Sequence, residues 1–510
     1  MKIYSAAQVR EWDGYTITHE PVSSIDLMER ASLKAFGWIR ENGLLPGHFL
    51  VLCGKGNNGG DGLAIARMLS ENNCRVQVML IGDPETWSAD LRINFARLPL
   101  AVSKMIITGS ALPDEATETI NGLAGNNMIV IDALFGSGLN KPPEGIYATL
   151  IRLVNEQQKQ VISIDLPSGL YTDTDSTGHD IIRATCTLSF QSRKLASLLP
   201  SNAGFIGQHV LLDIGLDSRF EESAVTPYEL VDETLVKKIY RPRRDDAHKG
   251  TNGHVLLIAG SYGKMGAAVL AASACLRAGA GLLTCHIPAS GYTIMQQGLP
   301  EAMVLTDYNS SFNTKFEGDF SIYKSIGIGP GIGTARETAE LLHSVMESSH
   351  RPLVLDADAL NIIGADKHLL RVVPPGSVLT PHPKEFERLF GETASDTERL
   401  QLALDKAAEL DSVIILKGHH TFIATPSGKG YFNQTGNSGL AKGGTGDTLT
   451  GIVTALLAQR YTPAHAAILA VYLHGLTADL IVSESQSRES MLASDLIASL
   501  GKAFNRISSY

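Results

Sequence analysis

Cysteine is scarce in this chain, and its few cysteines are scattered. The sequence has five cysteines in 510 residues, at positions 53, 74, 186, 275 and 285, and none of them forms a CxxC pair. An odd number of dispersed cysteines is typical of reduced thiols, which argues against a disulfide framework and against a zinc site. This usage favours a cytoplasmic protein.

Long apolar runs and blocks of basic residues are also missing. The formal net charge is −10 at pH 7, so neither nucleic acid nor an anionic membrane is an expected partner. No run of about 18 apolar residues occurs, and the first residues, MKIYSAAQVREWD, contain no apolar signal core. We therefore expect no membrane span. Any anionic ligand must be bound locally, by backbone N–H groups and single cations.

The rest of the composition is that of a globular α/β protein. Hydrophobic residues make up 44% of the chain, and its 510 residues suit two large domains. Short apolar runs alternate with helical segments in both halves, which indicates βαβ units and mostly parallel sheets. Residues 217–227 are polar and without periodicity. We therefore predict domains at 1–217 and 228–510, joined by a linker at 218–227.

Twelve strands are predicted from the apolar runs. They cover residues 48–53, 75–81, 128–131, 161–164, 185–190 and 208–212 in the first half, and 254–258, 281–287, 325–329, 353–356, 377–379 and 413–417 in the second. Apolar residues at helical spacing predict helices within the first 45 residues and at 63–71, 267–277 and 448–459.

A glycine-rich loop, residues 54–62, follows the first strand and precedes a helix. Strand, glycine-rich loop and helix in this order are typical of nucleotide sites in doubly wound sheets. The loop is neither GxGxxG nor a P-loop, and Asn57, Asn58 and Asp61 add side-chain oxygens to its N–H groups. It can therefore bind hydroxyls or a cation as well as phosphate. A plain turn is the alternative interpretation.

Two further strands of the first half end in polar loops, at 132–139 and 165–169. In open parallel sheets the ligand lies at the carboxyl ends of the strands. Three polar strand ends therefore predict one site, although a single aspartate at such an end can simply cap a helix.

The stretch Asn437–Asp447, NSGLAKGGTGD, is the clearest motif of the second half. Four glycines in eight positions allow successive N–H groups to face one point, and such a nest at a helix start binds phosphate. Asp447 would repel that phosphate, so we expect it to take or hold a proton instead. The alternative is a glycine-rich turn with Asp447 as helix cap.

Other strand ends of the second half leave alternatives open. Asp356 and Asp358 suit either a hydrated magnesium ion or a helix cap. Lys417 suits either a phosphate contact or a plain strand end. His382 lies between two prolines that fix its backbone, which favours a ligand contact over a core position.

Eight motifs together resemble a known family. GNNGGDG at 56–62, DALFGSG at 132–138 and DLPSG at 165–169 are similar to the NAD(P)H-hydrate epimerase domain. The motifs GPGIG, DADALN, PHPKE, KGHHT and NSGLAKGGTGD, which begin at 329, 356, 381, 417 and 437, are similar to the ADP/ATP-dependent NAD(P)H-hydrate dehydratases. The resemblance implies a Rossmann-like doubly wound domain followed by a ribokinase-like α/β domain, in the order of the bifunctional nicotinamide nucleotide repair enzymes.

The resemblance also implies an activity. The substrate would be NADH or NADPH hydrated at the nicotinamide ring, which exists as R and S epimers and cannot donate hydride. The first domain would interconvert the epimers, and the second would dehydrate the S form at the expense of ADP or ATP. A homo-oligomer is implied as well. The alternative is a ribokinase-class small-molecule kinase fused to a non-catalytic nucleotide-binding domain.

The family's site residues carry over onto matching positions of the first domain. Asp165 becomes the candidate acid or base of the epimerase, and a potassium ion would be bound by Asn58, Asp132 and Ser168. The implied substrate contacts are Asn57, Asn58, Gly59, Gly60, Asp61, Gly136, Ser137, Gly138, Leu139, Asn140, Lys141, Pro142 and Asp165.

In the second domain the resemblance implies a hydrate site, a nucleotide site and a magnesium ion. Asp447 would be the catalytic group. The implied hydrate contacts are Ala267, Gly329, Gly331, His382 and Asp447, and the implied nucleotide contacts are Lys417, Gly418, His419, His420, Thr421 and Gly446.

Overall fold

The computed structural model describes residues 1–125 and 127–508. It divides into two compact units, the first comprising Lys2–Thr226 and the second beginning at Pro227. Most of the predicted linker, 218–226, belongs to the first unit, where Phe220 stacks on Trp12 with ring centroids 5.7 Å apart. The assignment of one activity to each unit stays a prediction.

The first unit is one parallel sheet covered by helices. The described strands follow the order β3-β2-β1-β4-β5-β6-β7, in which the order of a doubly wound nucleotide-binding sheet is recognisable. The elements are α1 (Ala6–His19), α2 (Ser24–Glu41), β1 (His48–Cys53), α3 (Asn57–Glu71), β2 (Arg75–Ile81), α4 (Ala89–Ala96), β3 (Ser103–Ile107), α5 (Asp114–Asn121), β4 (Met128–Ala133), α6 (Ile146–Glu156), β5 (Val161–Ile164), β6 (Cys186–Phe190), α7 (Ala203–Ile206), β7 (Gln208–Leu212) and α8 (Ser218–Ser223).

The strand order of this sheet reverses between β1 and β4. These two strands pair in parallel with Cys53 opposite Ala133, so their carboxyl ends lie level. A crevice opens at such a reversal, and ligands bind there in open α/β sheets.

The second unit contains a larger sheet of the same kind. Its described strands follow the order β11-β10-β9-β12-β13-β14-β15-β16-β17-β8, parallel except where β16 pairs antiparallel with β15 and β17. The elements are β8 (Tyr228–Val231), α9 (Glu233–Ile239), β9 (His254–Ile258), α10 (Met265–Arg277), β10 (Leu282–Ile287), α11 (Tyr292–Gly298), β11 (Met303–Thr306), β12 (Ser325–Ile328), α12 (Arg336–Ser348), β13 (Leu353–Leu355), α13 (Asp358–Ala365), β14 (Val378–Leu379), α14 (Pro383–Phe390), α15 (Asp396–Glu409), β15 (Val413–Leu416), β16 (Phe422–Ala424), β17 (Gly430–Asn433), α16 (Thr445–Ala458), α17 (Pro463–Glu484) and α18 (Ala493–Ser508).

All twelve predicted strands are confirmed, with ends within two residues of the prediction. The sequence missed β3, β8, β11, β16 and β17. Strands β3 and β11 lie at sheet edges and are largely exposed, unlike the central strands, which are covered on both faces.

Three helices begin earlier than predicted, α10 by two residues, at Met265 rather than 267. Helix α3 starts at Asn57 rather than 63, and α16 starts at Thr445 rather than 448. Asn57–Gly62 therefore lie in the first turns of α3 and not in a loop. Glycines disfavour helix, and here they are tolerated because they let α3 pack directly against the sheet.

Helix α17 meets the length and hydropathy of a membrane span, and it is the one described helix that does. In the structure about two-thirds of its apolar window is buried, and residues such as Ala470 and Leu473 belong to the core of the second unit. Its apolar composition is therefore accounted for by core packing.

Candidate active sites

A cavity of about 740 Å³ lies at the crevice of the first unit. It brings together polar residues from the ends of three parallel strands and from α1 and α3. Its predicted lining residues are Asn57, Asn58, Asp61, Gly136, Ser137, Gly138, Leu139, Asn140 and Asp165, and its unpredicted polar ones include Arg10, Asp13, Lys55, Asp90 and Lys194.

Four of the implied substrate contacts do not line this cavity. Gly59 and Gly60 are buried within α3, where added Cβ atoms would meet Leu91 and Met28. Lys141 and Pro142 are exposed on the segment that follows β4. The two glycines therefore place α3 rather than face the cavity.

Asp165 is held at the end of β5 by a buried lysine. Its Oδ1 is 2.6 Å from Lys194 Nζ, and its Oδ2 accepts a hydrogen bond from the Ser137 N–H at 2.9 Å. Burial alone would raise the pKa of Asp165, but Lys194 and the Ser137 N–H outweigh it, so the pKa is lowered. Asp165 has a φ of 68°, a left-handed conformation that is uncommon for non-glycine residues.

Lys194 and Asp13 were not identified from the sequence. Lys194 is fully buried and also donates to the Phe190 carbonyl at 2.9 Å, yet in the sequence it is a single lysine after a strand. Burial and the Asp165 carboxylate raise the pKa of Asp13 to about 6, against the opposing effect of Lys194. No sequence motif points to Asp13, because the structure alone brings α1 to the strand ends.

The three implied potassium ligands converge on the segment after β4. The Asp132 carboxylate is fully buried and accepts from Ser168 Oγ at 2.5 Å and from Ser163 Oγ at 2.7 Å. Ser168 Oγ is 3.2 Å from the Phe135 carbonyl oxygen. Asn58 lies against Gly136, and its buried amide nitrogen has no hydrogen-bond partner among the described residues. The donor set is therefore oxygen-rich and polar.

The second unit has its strand-order reversal between β9 and β12. There the GPGIG loop contacts the start of α10. Gly260 N–H donates to the Pro330 carbonyl at 2.8 Å, and a Cβ at Gly331 would meet Ala267 and Lys264. A Cβ at Gly329 would collide with the Asp356 carbonyl, so this glycine is required for packing.

The capping alternative for Asp356 and Asp358 is wrong, because neither carboxylate caps α13. Asp356 is buried and bonds Lys417 Nζ at 2.8 Å and Thr450 Oγ1 at 2.6 Å. Asp358 accepts from the Gly333 N–H at 2.8 Å and lies 3.2 Å from Lys264 Nζ. Asp358 therefore holds the GPGIG loop, and Asp356 holds the lysine.

Lys417 follows β15 directly and is more than a strand end. The pKa of Lys417 is raised because Asp356, Glu385 and Asp447 stabilise its charge more than burial disfavours it. A Cβ at Gly446 would lie 3.7 Å from Lys417 Nζ. The lysine thus lies beside the start of α16. Gly418 and His419 are exposed in the turn that follows, and His420 and Thr421 are half-buried.

The glycine-rich stretch ends in the first turn of α16. Gly444 has a φ of 92° immediately before α16, a left-handed conformation that glycine adopts without cost. Asp479 anchors the other end of the stretch, accepting from the Gly436 N–H at 2.7 Å and from Asn437 Nδ2 at 2.9 Å. The N–H groups of the first turn of α16 have no acceptor within the helix and are available to an anion.

Asp447 lies in this first turn and is partly buried. Burial, followed by the charges of Asp356 and Asp358, raises its pKa to about 6, although Lys417 opposes them. A carboxyl group with this pKa can exchange a proton near neutral pH. Asp447 caps no helix with its side chain, which removes the alternative interpretation of the motif.

His382 has a structural role that the sequence did not indicate. Its Nδ1 accepts from the N–H groups of Lys384 and Glu385 and so caps α14. Its side chain remains about half exposed, and its Nε2 lies 3.4 Å from Glu385 Oε1. Contact of His382 with a ligand stays a prediction.

Fold and sites together define a fusion of two α/β enzyme domains. One is a Rossmann-like domain with a polar cavity, and the other is a ribokinase-like domain with a glycine-rich helix start beside a carboxyl group.

Comparison with known proteins agrees with this class. Residues 24–196 match the family described as YjeF-related protein N-terminus, and residues 255–502 match NAD(P)H-hydrate dehydratase. A bifunctional NAD(P)H-hydrate repair enzyme of Moorella thermoacetica is 33% identical, over 98% of this chain and 95% of its own. The bifunctional NAD(P)H-hydrate repair enzyme of Escherichia coli is 32% identical, over 94% of this chain and 89% of its own. The chain belongs to the family of bifunctional NAD(P)H-hydrate repair enzymes.

Among solved structures, the second unit resembles an ADP/ATP-dependent NAD(P)H-hydrate dehydratase of Bacillus subtilis, co-crystallised with ATP and Mg²⁺. The two are 34% identical with a TM-score of 0.48, over 55% of this chain and 98% of that one.

Proposed function

We propose that the protein repairs hydrated NADH and NADPH. The first unit interconverts the R and S hydrates, and the second dehydrates the S hydrate at the expense of ADP or ATP. The observation that carries this proposal is the position of Asp447, a carboxyl group with a raised pKa in the first turn of a phosphate-binding helix and close to Lys417.

In the second unit, the nest and Lys417 would bind the phosphates of the nucleotide. Lys417 Nζ is close to Gly446, so cation and N–H groups act on the same anion. Magnesium bound to nucleotide phosphates needs only one or two carboxylates, and Asp358 and Asp447 are the ones closest to the loop and the nest. Magnesium there would neutralise phosphate charge.

The hydrate would lie between the GPGIG loop, Ala267 and Asp447. The lone pair of its ring nitrogen can expel the hydroxyl once that hydroxyl has been converted into a better leaving group. Asp447 would take the hydroxyl proton while the oxygen accepts the terminal phosphoryl group, as in a kinase. Loss of phosphate then leaves the reduced nicotinamide, after a proton is lost from the neighbouring carbon.

In the first unit, the cavity would bind the nicotinamide hydrate, and a potassium ion would be held by Asn58, Asp132 and Ser168. Burial raises the pKa of Asp132 despite its hydrogen bonds, and an adjacent cation would keep it ionised. The Ser168 hydroxyl and the Phe135 carbonyl supply further oxygens. Bound potassium would order the loop after β4, which lines the cavity.

The potassium proposal has its own test. Epimerisation is expected to require potassium and to be lost when only tetramethylammonium is present. The Asp132→Asn variant should lose epimerisation whether or not potassium is present. Full epimerisation without any alkali cation would contradict it.

The main experiment supplies the protein with a mixture of R and S hydrates and either ADP or ATP. Complete recovery of reduced nicotinamide absorbance, with nucleotide consumed, supports the proposal. A stable phosphorylated alcohol without water loss would instead favour a ribokinase-class kinase. If the S hydrate were recovered quickly and the R hydrate were converted only at its uncatalysed rate, the first unit would be a binding module.

We also propose a cytoplasmic homo-oligomer, which the resemblance of the motifs to the repair enzymes supports. Light scattering on the purified chain measures the oligomeric state, and cell fractionation measures the location. A monomer, or recovery in the membrane fraction, would contradict this proposal.

A further inference from the structure

We propose that Asp13 is the proton donor of the first unit, delivering a proton to the hydroxyl of the R or S hydrate during epimerisation. The proposal rests on the epimerase function proposed above. Asp13 lies on α1, outside the eight motifs and before residue 24, where the matched family region begins. It lines the cavity together with Asp165 and Lys194.

Helix α1 is firmly placed at the cavity. Its start is closed by a capping box between Ser5 and Gln8. Trp12, the residue before Asp13, is held by two contacts. Its Nε1 donates to the Asp217 carbonyl at 2.8 Å, and its ring stacks on Phe220. These contacts fix the backbone next to Asp13, so its carboxyl group is presented to the cavity in a defined position.

The carboxyl group of Asp13 is also available to a ligand. Within the residues that the structure describes, no hydrogen bond or ion pair engages it. Asp165, by contrast, is bonded to Lys194 and to the Ser137 N–H, and Asp61 accepts a hydrogen bond from Ser32 Oγ at 3.2 Å. Among these three carboxyl groups of the cavity, Asp13 is therefore the one whose proton has no competing protein partner.

The charges around the cavity give its carboxyl groups different protonation states. Lys194 is bonded to Asp165 and keeps it ionised. Asp165 and burial in turn keep Asp13 protonated up to a pH of about 6. The other ionisable groups that line the cavity are Arg10, Lys55, Asp61 and Asp90, and burial raises the pKa of Asp61 as well. A protonated and an ionised carboxyl group in one cavity are the pair that acid–base chemistry needs.

The step balances with water as the only other reactant. The C–O bond to the ring carbon breaks, the nitrogen lone pair forms a C=N bond, and the hydroxyl takes the Asp13 proton and leaves as water. A water molecule then adds to the other face of the ring. The C=N electrons return to nitrogen, the water gives its proton to the Asp165 carboxylate, and exchange with solvent restores both groups.

The test uses the full chain supplied with pure R hydrate and ADP, with dehydration of S hydrate as the internal measure of an intact second unit. Asp13→Asn is expected to lower kcat for R conversion by ~10²-fold or more, with S dehydration unchanged. Glu11→Gln, an exposed carboxyl-to-amide change on the same helix, is the matched control and should convert R at the normal rate.

The pH profile distinguishes a proton donor from a residue that merely supports the fold. R conversion by the unmodified chain should fall as pH rises through about 6, where Asp13 ionises. Asp13→Glu should keep part of the rate and the same downward limb, whereas the residual rate of Asp13→Asn should lack it.

Three results would overturn the role of Asp13. They are near-normal R conversion by Asp13→Asn, an unchanged downward limb in that variant, and loss of the limb in Asp61→Asn instead. A folded unmodified chain that dehydrates S hydrate but never converts R would refute the epimerase function itself. Unfolding curves for each variant separate all of these results from misfolding, and the active Asp13→Glu variant serves if Asp13→Asn does not fold.

Discussion

In each domain one lysine, fully buried in the first and partly buried in the second, is bonded to one aspartate, and a second aspartate nearby has a raised pKa. The pairs are Lys194 with Asp165 and Lys417 with Asp356. The pKa values of Asp13 and Asp447 are both raised to about 6, by burial first and by the paired aspartate second. A fixed ion pair thus supplies the negative charge that keeps a neighbouring proton in place.

Asp447→Asn should reduce S dehydration by ~10²-fold or more, because an amide cannot accept the hydroxyl proton. Since the carboxylate is the active form and its pKa is about 6, the rate of the unmodified chain should rise with pH through that value and then level off. Initial rates of S dehydration across pH measure both the loss in the variant and the pH dependence, and a nucleotide-binding titration checks that the variant still binds nucleotide. Exposed Asp405→Asn is the control, and normal dehydration by Asp447→Asn would remove the role.

Lys194→Met should lower the free energy of unfolding of the first domain by about 3–5 kcal/mol, because it leaves the Asp165 carboxylate buried without its cation. Urea unfolding measures this loss. Adding Asp165→Asn should restore most of it, since the uncompensated charge is then gone. The control Lys34→Met removes an exposed lysine and should cost little. Equal losses in the single and double variants would contradict the ion-pair explanation.

At the scale of single elements, helix α3 shows why a glycine-rich motif can be misread. An added Cβ at Gly59 would fall on the Gly54 carbonyl, and one at Gly62 would press on Cys53 and Ala133. The glycines therefore let the helix approach β1 and β4 closely. Local propensity disfavours a helix here, and packing against the sheet overrides it.

Gly59→Ala should destabilise the first domain by about 1–3 kcal/mol or more, because the added methyl group overpacks the contact between helix and strand. Gly37→Ala is the matched control within helix α2, where no described atom beyond its chain neighbours and the nearby helix backbone lies within 4 Å of the new Cβ. It should stabilise by about 0.5–1 kcal/mol, through the lower backbone entropy of alanine in the unfolded chain. Thermal unfolding compares the two, and equal effects of the same sign would contradict the packing role.

At the scale of the whole molecule, each unit has its own sheet and its own core. The proposed activities are likewise complete within one unit each, since the cavity of the first is lined only by residues before 226. All the groups proposed for dehydration, from Ala267 to Asp447, belong to the second unit.

The two units produced separately, as residues 2–226 and 227–510, should therefore each fold and keep one activity. The second fragment should dehydrate S hydrate and leave R hydrate to its uncatalysed epimerisation. Adding the first fragment should restore full recovery of the reduced cofactor. Circular dichroism checks folding, and conversion of R hydrate by the second fragment alone would contradict the division of labour.

The sequence by itself determined the parallel sheets, the polar loops at their strand ends and the family. Buried strands such as His48–Cys53 are continuous apolar runs, and motifs such as residues 437–447 have their chemistry in consecutive residues, so both can be recognised locally. The edge strand Met303–Thr306 was not recognised, because its apolar run is short and it is largely exposed in the fold.

Only the tertiary structure decided which charges meet. Lys194 bonds Asp165 from 29 positions away along the chain, and Lys417 bonds Asp356 across 61. Asp13 reaches the cavity only because helix α1 packs at the strand ends. The pKa of a carboxyl group depends on its burial and on charges within a few ångströms. Those quantities are set by the packing of distant segments, and no local pattern of residues contains them.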